Sequence, residues 1–372
     1  MCSCDCNVDS LTIFTSCTSD LTPGKTAWST SPPAWSGLRR LDAVTTERGS
    51  IHRSLFTTQP SCCSNQGVTC GNISNSFNFG SVASINLLDL GLSGSLPSEI
   101  GYFHGITKFV MGANTLSGSI PSTIGDMTSL QYFDVAFNGL TGSMPSSIGS
   151  LTRLQVVLLF ENRLTGIIPT NIGALKSLTI LSLDTNFLFG TIPSTIGELT
   201  SLEQLSVYGN RVSGTIPSSI STMKSLKTIY FDKNSLVGTI PSSLGFLTGL
   251  KILTFNSNSL TGPIPTSFGS LKGLEFLDLS SNSLTGTIPI TFSSMTSLAG
   301  LLMQNNYLTM GSMPVVSPST FSQATKEGKL DISKNCLAYT SVLNPSQSTT
   351  ATQCKCKITC IYSCRAYKYD VM

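Results

Sequence analysis

The sequence predicts an α/β repeat solenoid built from stacked units of 24 residues. Three observations predict it: an asparagine recurs at a fixed interval of 24 residues, one frame of apolar and turn residues surrounds each asparagine, and all twelve cysteines lie outside the regular units. A period this strict indicates one supersecondary unit that buries its apolar face by stacking on its neighbours. The recurring asparagines are Asn114, Asn138, Asn162, Asn186, Asn210, Asn234, Asn258, Asn282 and Asn306.

The frame reads L-x-x-L-x-x-L-x-L-x-x-N-x-L-x-G-x-I-P-x-x-I-G-x and is clearest from Leu151 to Ile172. This is the pattern of a leucine-rich repeat. The apolar pair before each asparagine, such as Leu181 with Leu183, alternates with outward positions at period two. Each unit is therefore predicted to add one short strand to a parallel sheet on the concave side of a right-handed superhelix.

The asparagine, glycine and proline positions of the frame each have a structural interpretation. A buried asparagine amide carries donors and an acceptor, so the stacked column is expected to bond the backbone of neighbouring turns. A glycine such as Gly118, three residues before Pro121, permits a tight bend. The proline then fixes φ where no ladder donor is needed.

The frame predicts ten full repeats and a partial eleventh. The first repeat has Leu90 where the asparagine belongs, and Leu330 with Ile332 supplies the last strand. Eleven strands at ~4.8 Å each make a sheet about 50 Å long. We divide the chain into an irregular segment at 1–60, an N-terminal cysteine cap at 61–78, the solenoid at 79–337 and a C-terminal cysteine-rich cap at 338–372.

Composition limits the classes of partner. Charged residues are 11% of the chain and the net charge is +3, so we expect no nucleic-acid partner and no polybasic membrane patch. No apolar run approaches the roughly 18 residues of a spanning helix, so we expect no membrane span in this chain. Nothing in the sequence indicates a cofactor or an oligomeric state.

The cysteines cluster at the two ends, where a solenoid must seal its terminal cores, which favours disulfide-bonded caps in a secreted protein. The segment after Met1, Cys2-Ser3-Cys4, nevertheless has no feature of a signal peptide. The C-x-C spacings would also suit zinc thiolates, an alternative that we do not adopt. The disulfide candidates are Cys62, Cys63, Cys70, Cys336 and Cys354, and the glycosylation candidate is Asn72.

From about Ser61 to Leu337, the L-x-G-x-I-P segment at this period resembles the plant-type extracellular leucine-rich-repeat proteins. The segment 62–70 is similar to that family's N-terminal cap, with Asn65 in place of a tryptophan. The resemblance implies pairing of Cys63 with Cys70, and of Cys62 with an upstream cysteine such as Cys17.

The family includes polygalacturonase-inhibiting proteins, receptor-like proteins and receptor-kinase ectodomains, all of them binding proteins. The resemblance therefore implies non-catalytic binding of a protein or peptide on the concave face. Two forms of that function are open: an inhibitor of cell-wall-degrading enzymes acting in defence, and a truncated receptor-kinase ectodomain involved in signalling.

The candidate ligand-binding residues are the large and charged side chains at outward concave positions and at the strand exits. Aromatic side chains would supply rigid anchors, and the carboxylates would complement a basic partner. The candidates are Tyr132, Asp134, Phe137, Phe160, Glu161, Asp184, Tyr208, Tyr230, Asp232, Lys233, Phe276 and Asp278.

A pair of the concave carboxylates also suggests a catalytic function. Asp184 and Asp232 lie two strands apart, roughly 10 Å, near the separation in an inverting glycosidase. We expect an open sheet to leave both solvated, without the raised pKa of a general acid, and therefore predict no catalysis.

Ranks of hydroxyl residues near each proline, such as Thr191 and Ser194, would suit ice binding, as in some plant-type repeat antifreeze proteins. Local bonding of these hydroxyls to turn backbone is the simpler interpretation.

Overall fold

The computed structural model describes residues 68–70, 82–309 and 330–331, with side chains over 83–309. Within these bounds the chain is a solenoid of stacked repeats. The predicted segments 1–60 and 338–372, the glycosylation candidate Asn72 and the disulfide candidates other than Cys70 lie outside the described residues.

The concave sheet has twelve strands, of which eleven are parallel and follow chain order, one per repeat. Neighbouring strands pair residues one repeat apart, as Val157 does with Leu181, which confirms the predicted eleven-stranded sheet. The first strand, which the sequence analysis missed, is antiparallel to the second. The strands are Val68–Cys70, Val82–Asn86, Lys108–Val110, Tyr132–Asp134, Val156–Leu158, Ile180–Ser182, Gln204–Ser206, Thr228–Tyr230, Ile252–Thr254, Phe276–Asp278, Gly300–Leu302 and Leu330–Asp331.

The apolar positions of the frame form one continuous core from Ile85 to Leu308. The middle residue of each three-residue strand faces inward, and larger side chains stack between repeats, with the rings of Phe109 and Phe133 6.0 Å apart. Burial of these side chains between repeats is the main force that stacks them.

The helical layer consists of 3-10 turns, one in each described repeat, and every turn follows the proline of the frame. Adjacent turns pack so closely that a Cβ on Gly197 would lie 2.3 Å from the carbonyl oxygen of Ser219. The turns span Ser98–Tyr102, Ser122–Asp126, Ser146–Ser150, Thr170–Ala174, Ser194–Glu198, Ser218–Thr222, Ser242–Phe246, Thr266–Ser270 and Ile290–Ser294.

The x-L-x-G-x segments that follow the asparagines form two further parallel sheets, one of two strands and one of four, and this row of segments is here called the flank sheet. The repeat frame did not predict this pairing. Gly118 adopts a φ of 74°, as its bend requires. Isolated bridges such as Ser119 with Thr141 continue the pairing between repeats. The two-stranded sheet consists of Ser93–Ser95 and Thr115–Ser117, and the four-stranded sheet of Ser213–Gly214, Ser235–Thr239, Ser259–Pro263 and Ser283–Thr285.

The asparagine column joins consecutive repeats. Asn186 Nδ2 donates to the carbonyl oxygens of Leu159, Leu183 and Asp184 at 2.9, 3.1 and 3.0 Å. Asn186 Oδ1 accepts from the backbone N–H of Leu164 at 2.9 Å. Two of these partners belong to the preceding repeat, so each amide bridges two turns of the solenoid.

The first repeat manages without its own asparagine. Asn114 Oδ1 accepts from the backbone N–H of both Leu90 and Leu92, at 3.1 and 2.9 Å. The side chain of Leu90 is half exposed at the surface.

Candidate functional site

The candidate residues form one band across the concave sheet and its strand exits, but their exposure differs by position. Five aromatic candidates and one acidic candidate are half-buried: Tyr132, Phe160, Tyr208, Tyr230, Phe276 and Asp278. Phe137, Glu161 and Lys233 are exposed, whereas Asp134, Asp184 and Asp232 are buried, with 9%, 7% and 7% of their surface exposed.

The exposed candidates stand at strand exits in the left-handed region of backbone space. Phe137, Glu161 and Lys233 have φ of 53°, 53° and 51°. A non-glycine residue in this region costs of order 1–2 kcal/mol of conformational free energy, and the contacts of the surrounding solenoid must offset that cost. These three strand-exit side chains are therefore exposed on a backbone whose conformation the fold holds in place.

One part of the band is apolar and is here called the apolar strip: Phe137, Val156, Leu158, Phe160 and Ile180. Val156, Leu158 and Phe160 are successive outward positions of one repeat and are partly exposed. Phe137 packs edge-on against Phe160, with ring centroids 4.9 Å apart, and keeps 54% of its surface exposed. The strip thus crosses the width of the sheet.

Tyr208 and Lys233 form a polar continuation of the band. The Lys233 ammonium lies 5.0 Å from the centroid of the Tyr208 ring, within cation–π distance. At the other end of the band, Lys108 lies 5.1 Å from the ring of Tyr132. Each pair presents an aromatic ring and a positive charge together.

Asp184 is held by donors from two repeats. It accepts from Ser182 Oγ at 2.7 Å, from the backbone N–H of Tyr208 at 3.0 Å, and from Ser206 Oγ. Burial raises the pKa of Asp184, and these hydrogen bonds oppose the rise. Its two hydroxyl partners were not among the residues singled out from the sequence.

Asp232 repeats the arrangement two strands further on. It accepts from the backbone N–H of Asn256 at 2.7 Å and from Thr254 Oγ1. Burial raises the pKa of Asp232 to about 6, with Thr254 and the Asn256 amide opposing and the nearby Asp278 adding to the rise. The expectation that an open sheet leaves this carboxyl solvated is therefore wrong, because neighbouring side chains cover it.

Asp134 and Asp278 accept hydrogen bonds from residues of their own repeats, and Asp278 is also bonded by the Asn256 side chain of the preceding repeat. Asp134 accepts from the backbone N–H of Ala136 at 3.0 Å, and Asp278 accepts from the N–H and Oγ of Ser280 at 2.9 and 2.5 Å. Burial is the largest cause of the raised pKa of each carboxyl.

The four acceptor arrangements share one cause in the backbone. The backbone N–H of the residue two positions before each asparagine donates to no described carbonyl of the concave sheet. In four repeats it donates instead to one of these carboxylates, at Ala136, Tyr208, Asn256 and Ser280. At Phe160 the same N–H has no acceptor among the described residues. The apolar strip therefore contains a free main-chain donor, which no side-chain pattern could have revealed.

The hydroxyl ranks near the prolines divide into two kinds. Those two residues after each proline bond the preceding repeat, as Thr195 Oγ1 does to the carbonyl of Thr170 at 2.5 Å and Ser219 Oγ to that of Ser194 at 2.6 Å. By contrast, Thr191, Thr215, Thr239 and Thr287, two before a proline, are exposed and their hydroxyls have no partner among the described residues.

Over residues 82–309, no helix is long and apolar enough to cross a membrane. The same part of the chain has no group of three or more His, Cys, Asp or Glu side chains that could hold a metal ion.

Family models for leucine-rich repeats match the chain at 248–308 and, with a single-repeat model, at 129–151, 201–223 and 225–247. A search of curated proteins found no match.

Solved structures with the same architecture include plant receptor ectodomains. The chain is 33% identical to the ectodomain of the Arabidopsis thaliana receptor kinase GASSHO1/SCHENGEN3 in complex with CASPARIAN STRIP INTEGRITY FACTOR 2, with a TM-score of 0.58 over 71% of this chain and 34% of that one. It is 30% identical to the Arabidopsis receptor kinase HAESA in complex with the peptide hormone IDA and the co-receptor SERK1, with a TM-score of 0.59 over 66% of this chain and 45% of that one.

The chain thus spans less than half the length of these receptor ectodomains. A plant ice-binding protein shares the fold with a TM-score of 0.61 and 24% identity, over 81% of this chain and 94% of that one. The repeat matches and the shared architecture together identify this chain as a leucine-rich-repeat protein.

Proposed function

We propose that this protein is a non-catalytic extracellular binding protein that holds an extended segment of a protein or peptide ligand on its concave face. The observation that carries the proposal is the apolar strip, which exposes large side chains across the sheet beside an unpaired backbone donor at Phe160. Clustered exposed apolar side chains on a soluble protein commonly mark an interaction site.

The strip is not required by the fold. Other repeats place Ser182 and Ser206 in the column of Leu158, and Ser280 in the column of Phe160. Because those repeats have the same backbone conformation, the fold does not require apolar side chains at these positions. Their combined burial by a ligand would favour binding, and the rings of Phe137 and Phe160 would be its anchors.

The polar part of the band suits the rest of an extended ligand. The Phe160 N–H could donate to a ligand carbonyl, since a free main-chain donor satisfies any residue type. Tyr208 with Lys233 offers a hydroxyl, a ring face and a positive charge about two strands away. Apolar anchoring followed by main-chain bonding is a recurrent mode of peptide recognition.

Catalysis is not part of this proposal. Asp184 and Asp232 are buried and accept hydrogen bonds from their own sheet, three at Asp184 and two at Asp232, and we assign them no role as an acid or base. Their role in the site is to fix the outward hydroxyls and backbone. Both the inhibitor-like and the receptor-like forms of the function agree with this, and the likeness to peptide-bound receptor ectodomains supports the receptor-like form and an extracellular location.

The test is an affinity capture from extracellular extract on the full chain, produced by secretion, with a double variant Leu158→Ser and Phe160→Ser. Both changes introduce a residue that other repeats carry in the same column, as Ser182 and Ser280 do, so folding should be retained. The control carries Ser194→Ala and Ser218→Ala, at the first residues of two 3-10 turns away from the concave strands. A protein held by the parent and the control but lost by the double variant supports the proposal, whereas equal capture by all three contradicts it.

The flank provides a second candidate function, ice binding. It is favoured by the rank of exposed, unpartnered threonines Thr191, Thr215 and Thr239, which repeat at about the strand spacing. The rank is interrupted by Ile167 and Pro263. Freezing hysteresis that is lost in Thr215→Lys, with concave variants unaffected, would establish it, and an absence of hysteresis in the parent chain would exclude it.

A further inference from the structure

The flank sheet is almost devoid of charge, and its two charges stand together. Among the five-residue segments that follow the asparagines, from 115–119 to 283–287, the charged residues are Arg163 and Arg211. Both are exposed, and neither makes an ion pair among the described residues. They occupy the same column, one repeat to either side of Phe187.

The largest apolar residues of the flank sheet are found at the same place. Phe187, Phe189 and Ile167 expose 42%, 52% and 52% of their surfaces. Most other repeats place serine or threonine in these columns. At three adjoining positions, large apolar residues thus stand where other repeats have hydroxyl residues. Together with the two arginines they form a patch, here called the arginine–aromatic patch: Arg163, Ile167, Phe187, Phe189 and Arg211.

Backbone pairing brings these residues side by side. The N–H groups of Phe187 and Arg211 donate to the carbonyls of Leu164 and Leu188, each at 2.8 Å, so three successive segments, 163–167, 187–191 and 211–215, lie side by side. The Arg211 guanidinium lies 5.0 Å from the centroid of the Phe187 ring. On the adjoining edge, the Ile167 side chain covers Gly190 so closely that a Cβ there would be 2.7 Å from Ile167 Cγ2.

We propose that the arginine–aromatic patch is a second interaction surface, which docks a protein segment carrying acidic side chains beside aromatic or aliphatic ones. The two guanidiniums, about 10 Å apart by strand spacing, complement carboxylates. The aromatic and aliphatic side chains between them provide the dehydrated centre, and arginine and aromatic residues are the types enriched at such centres. The surface is separate from the concave face and does not depend on the ligand proposed there.

The test selects random dodecapeptides displayed on phage against the immobilised full chain. Counter-selection uses the triple variant Ile167→Thr, Phe187→Ser and Phe189→Thr, which restores residues that other repeats carry in these columns. The matched control is Val237→Thr, an exposed apolar residue elsewhere on the flank sheet. Affinities of the selected peptides are then measured by fluorescence polarisation at low and high salt.

The proposal predicts enriched peptides that combine acidic with aromatic or aliphatic residues. Their affinity should fall by at least about tenfold in the triple variant and in Arg163→Glu with Arg211→Glu, with no change in Val237→Thr. Binding to the parent should weaken with salt. Enrichment of peptides without acidic residues, equal binding to the charge-reversed variant, or no enrichment over the triple variant would each overturn the proposal. Retention of anionic lipid vesicles in place of any peptide would also overturn it, assigning the patch to membranes.

Discussion

Replacing Asn186 with alanine tests the asparagine column as the element that joins repeats. Alanine removes all four hydrogen bonds of the side chain, and the consequences for its partners are unequal. Leu159 and Leu183 also accept from Asn162 and Asn210, so their carbonyls each keep one partner. The carbonyl of Asp184 keeps the backbone N–H of Glu161.

The N–H of Leu164 is different, because Asn186 Oδ1 is its partner among the described residues and Leu164 is fully buried. A stranded buried amide costs about 1–3 kcal/mol, and the weakened carbonyls add a smaller amount, so we expect a loss of about 2–4 kcal/mol of unfolding free energy. Urea unfolding of the full chain, followed by circular dichroism, measures this loss.

Two controls separate hydrogen bonding from side-chain volume. Asn138→Ala, at a half-exposed position of the same column, should cost less because water can reach the freed groups. Hydrogen exchange at the Leu164 amide should accelerate in Asn186→Ala more than at amides two repeats away. A loss below about 1 kcal/mol, or unchanged exchange at Leu164, would show that the asparagine amide does not hold the two repeats together.

Three further predictions follow from particular contacts. Burial raises the folded-state pKa of Asp232 to about 6, above its value in the unfolded chain, so the stability that the protonated carboxyl contributes is present at pH 4 and is lost as pH rises to about 6. In urea titrations, Asp232→Asn should therefore gain up to about 3 kcal/mol of unfolding free energy relative to the parent between pH 4 and pH 7. A difference that stays constant with pH would contradict the raised pKa of Asp232. Gly197→Ala should lower stability by about 1–3 kcal/mol, because its Cβ would meet the Ser219 carbonyl, and an unchanged urea midpoint would show that the turns can separate. Thr195→Ala should lower the unfolding free energy by about 0.5–1.5 kcal/mol, because the hydrogen bond to Thr170 is lost, whereas Ser194→Ala should change it by less than about 0.5 kcal/mol. Equal effects of the two changes would show that the Thr195 hydroxyl bond does not stabilise the stacking of repeats.

The solenoid could be predicted from the amino-acid sequence, because the 24-residue period is a local property of the chain. Each strand needs only an inward residue such as Val157 between two outward ones, and each turn needs a proline such as Pro169 to begin it. Identical frames stack in register without any long-range choice, so the number of strands and the location of the core could be predicted.

The antiparallel first strand and the flank sheet were not predicted, for different reasons. The strand Val68–Cys70 lies outside the repeat and carries no periodicity of its own. The flank sheet uses residues such as Thr239 and Thr261, which pair only because consecutive repeats are offset in a particular register. That offset arises only when repeats stack, so it cannot be predicted from the sequence of a single repeat.

At the candidate site, the sequence determined which residues share the concave face, since alternation along a strand assigns each side chain to one side. Which of these side chains are accessible to a ligand depends on how the repeats stack. Asp184 and Asp232 face outward in the pattern, yet they are covered by Ser206 and Thr254 from the next repeat and bond backbone amides there. Burial and hydrogen bonding depend on neighbours 22 to 24 residues away, so the protonation and exposure of a carboxyl are set by stacking.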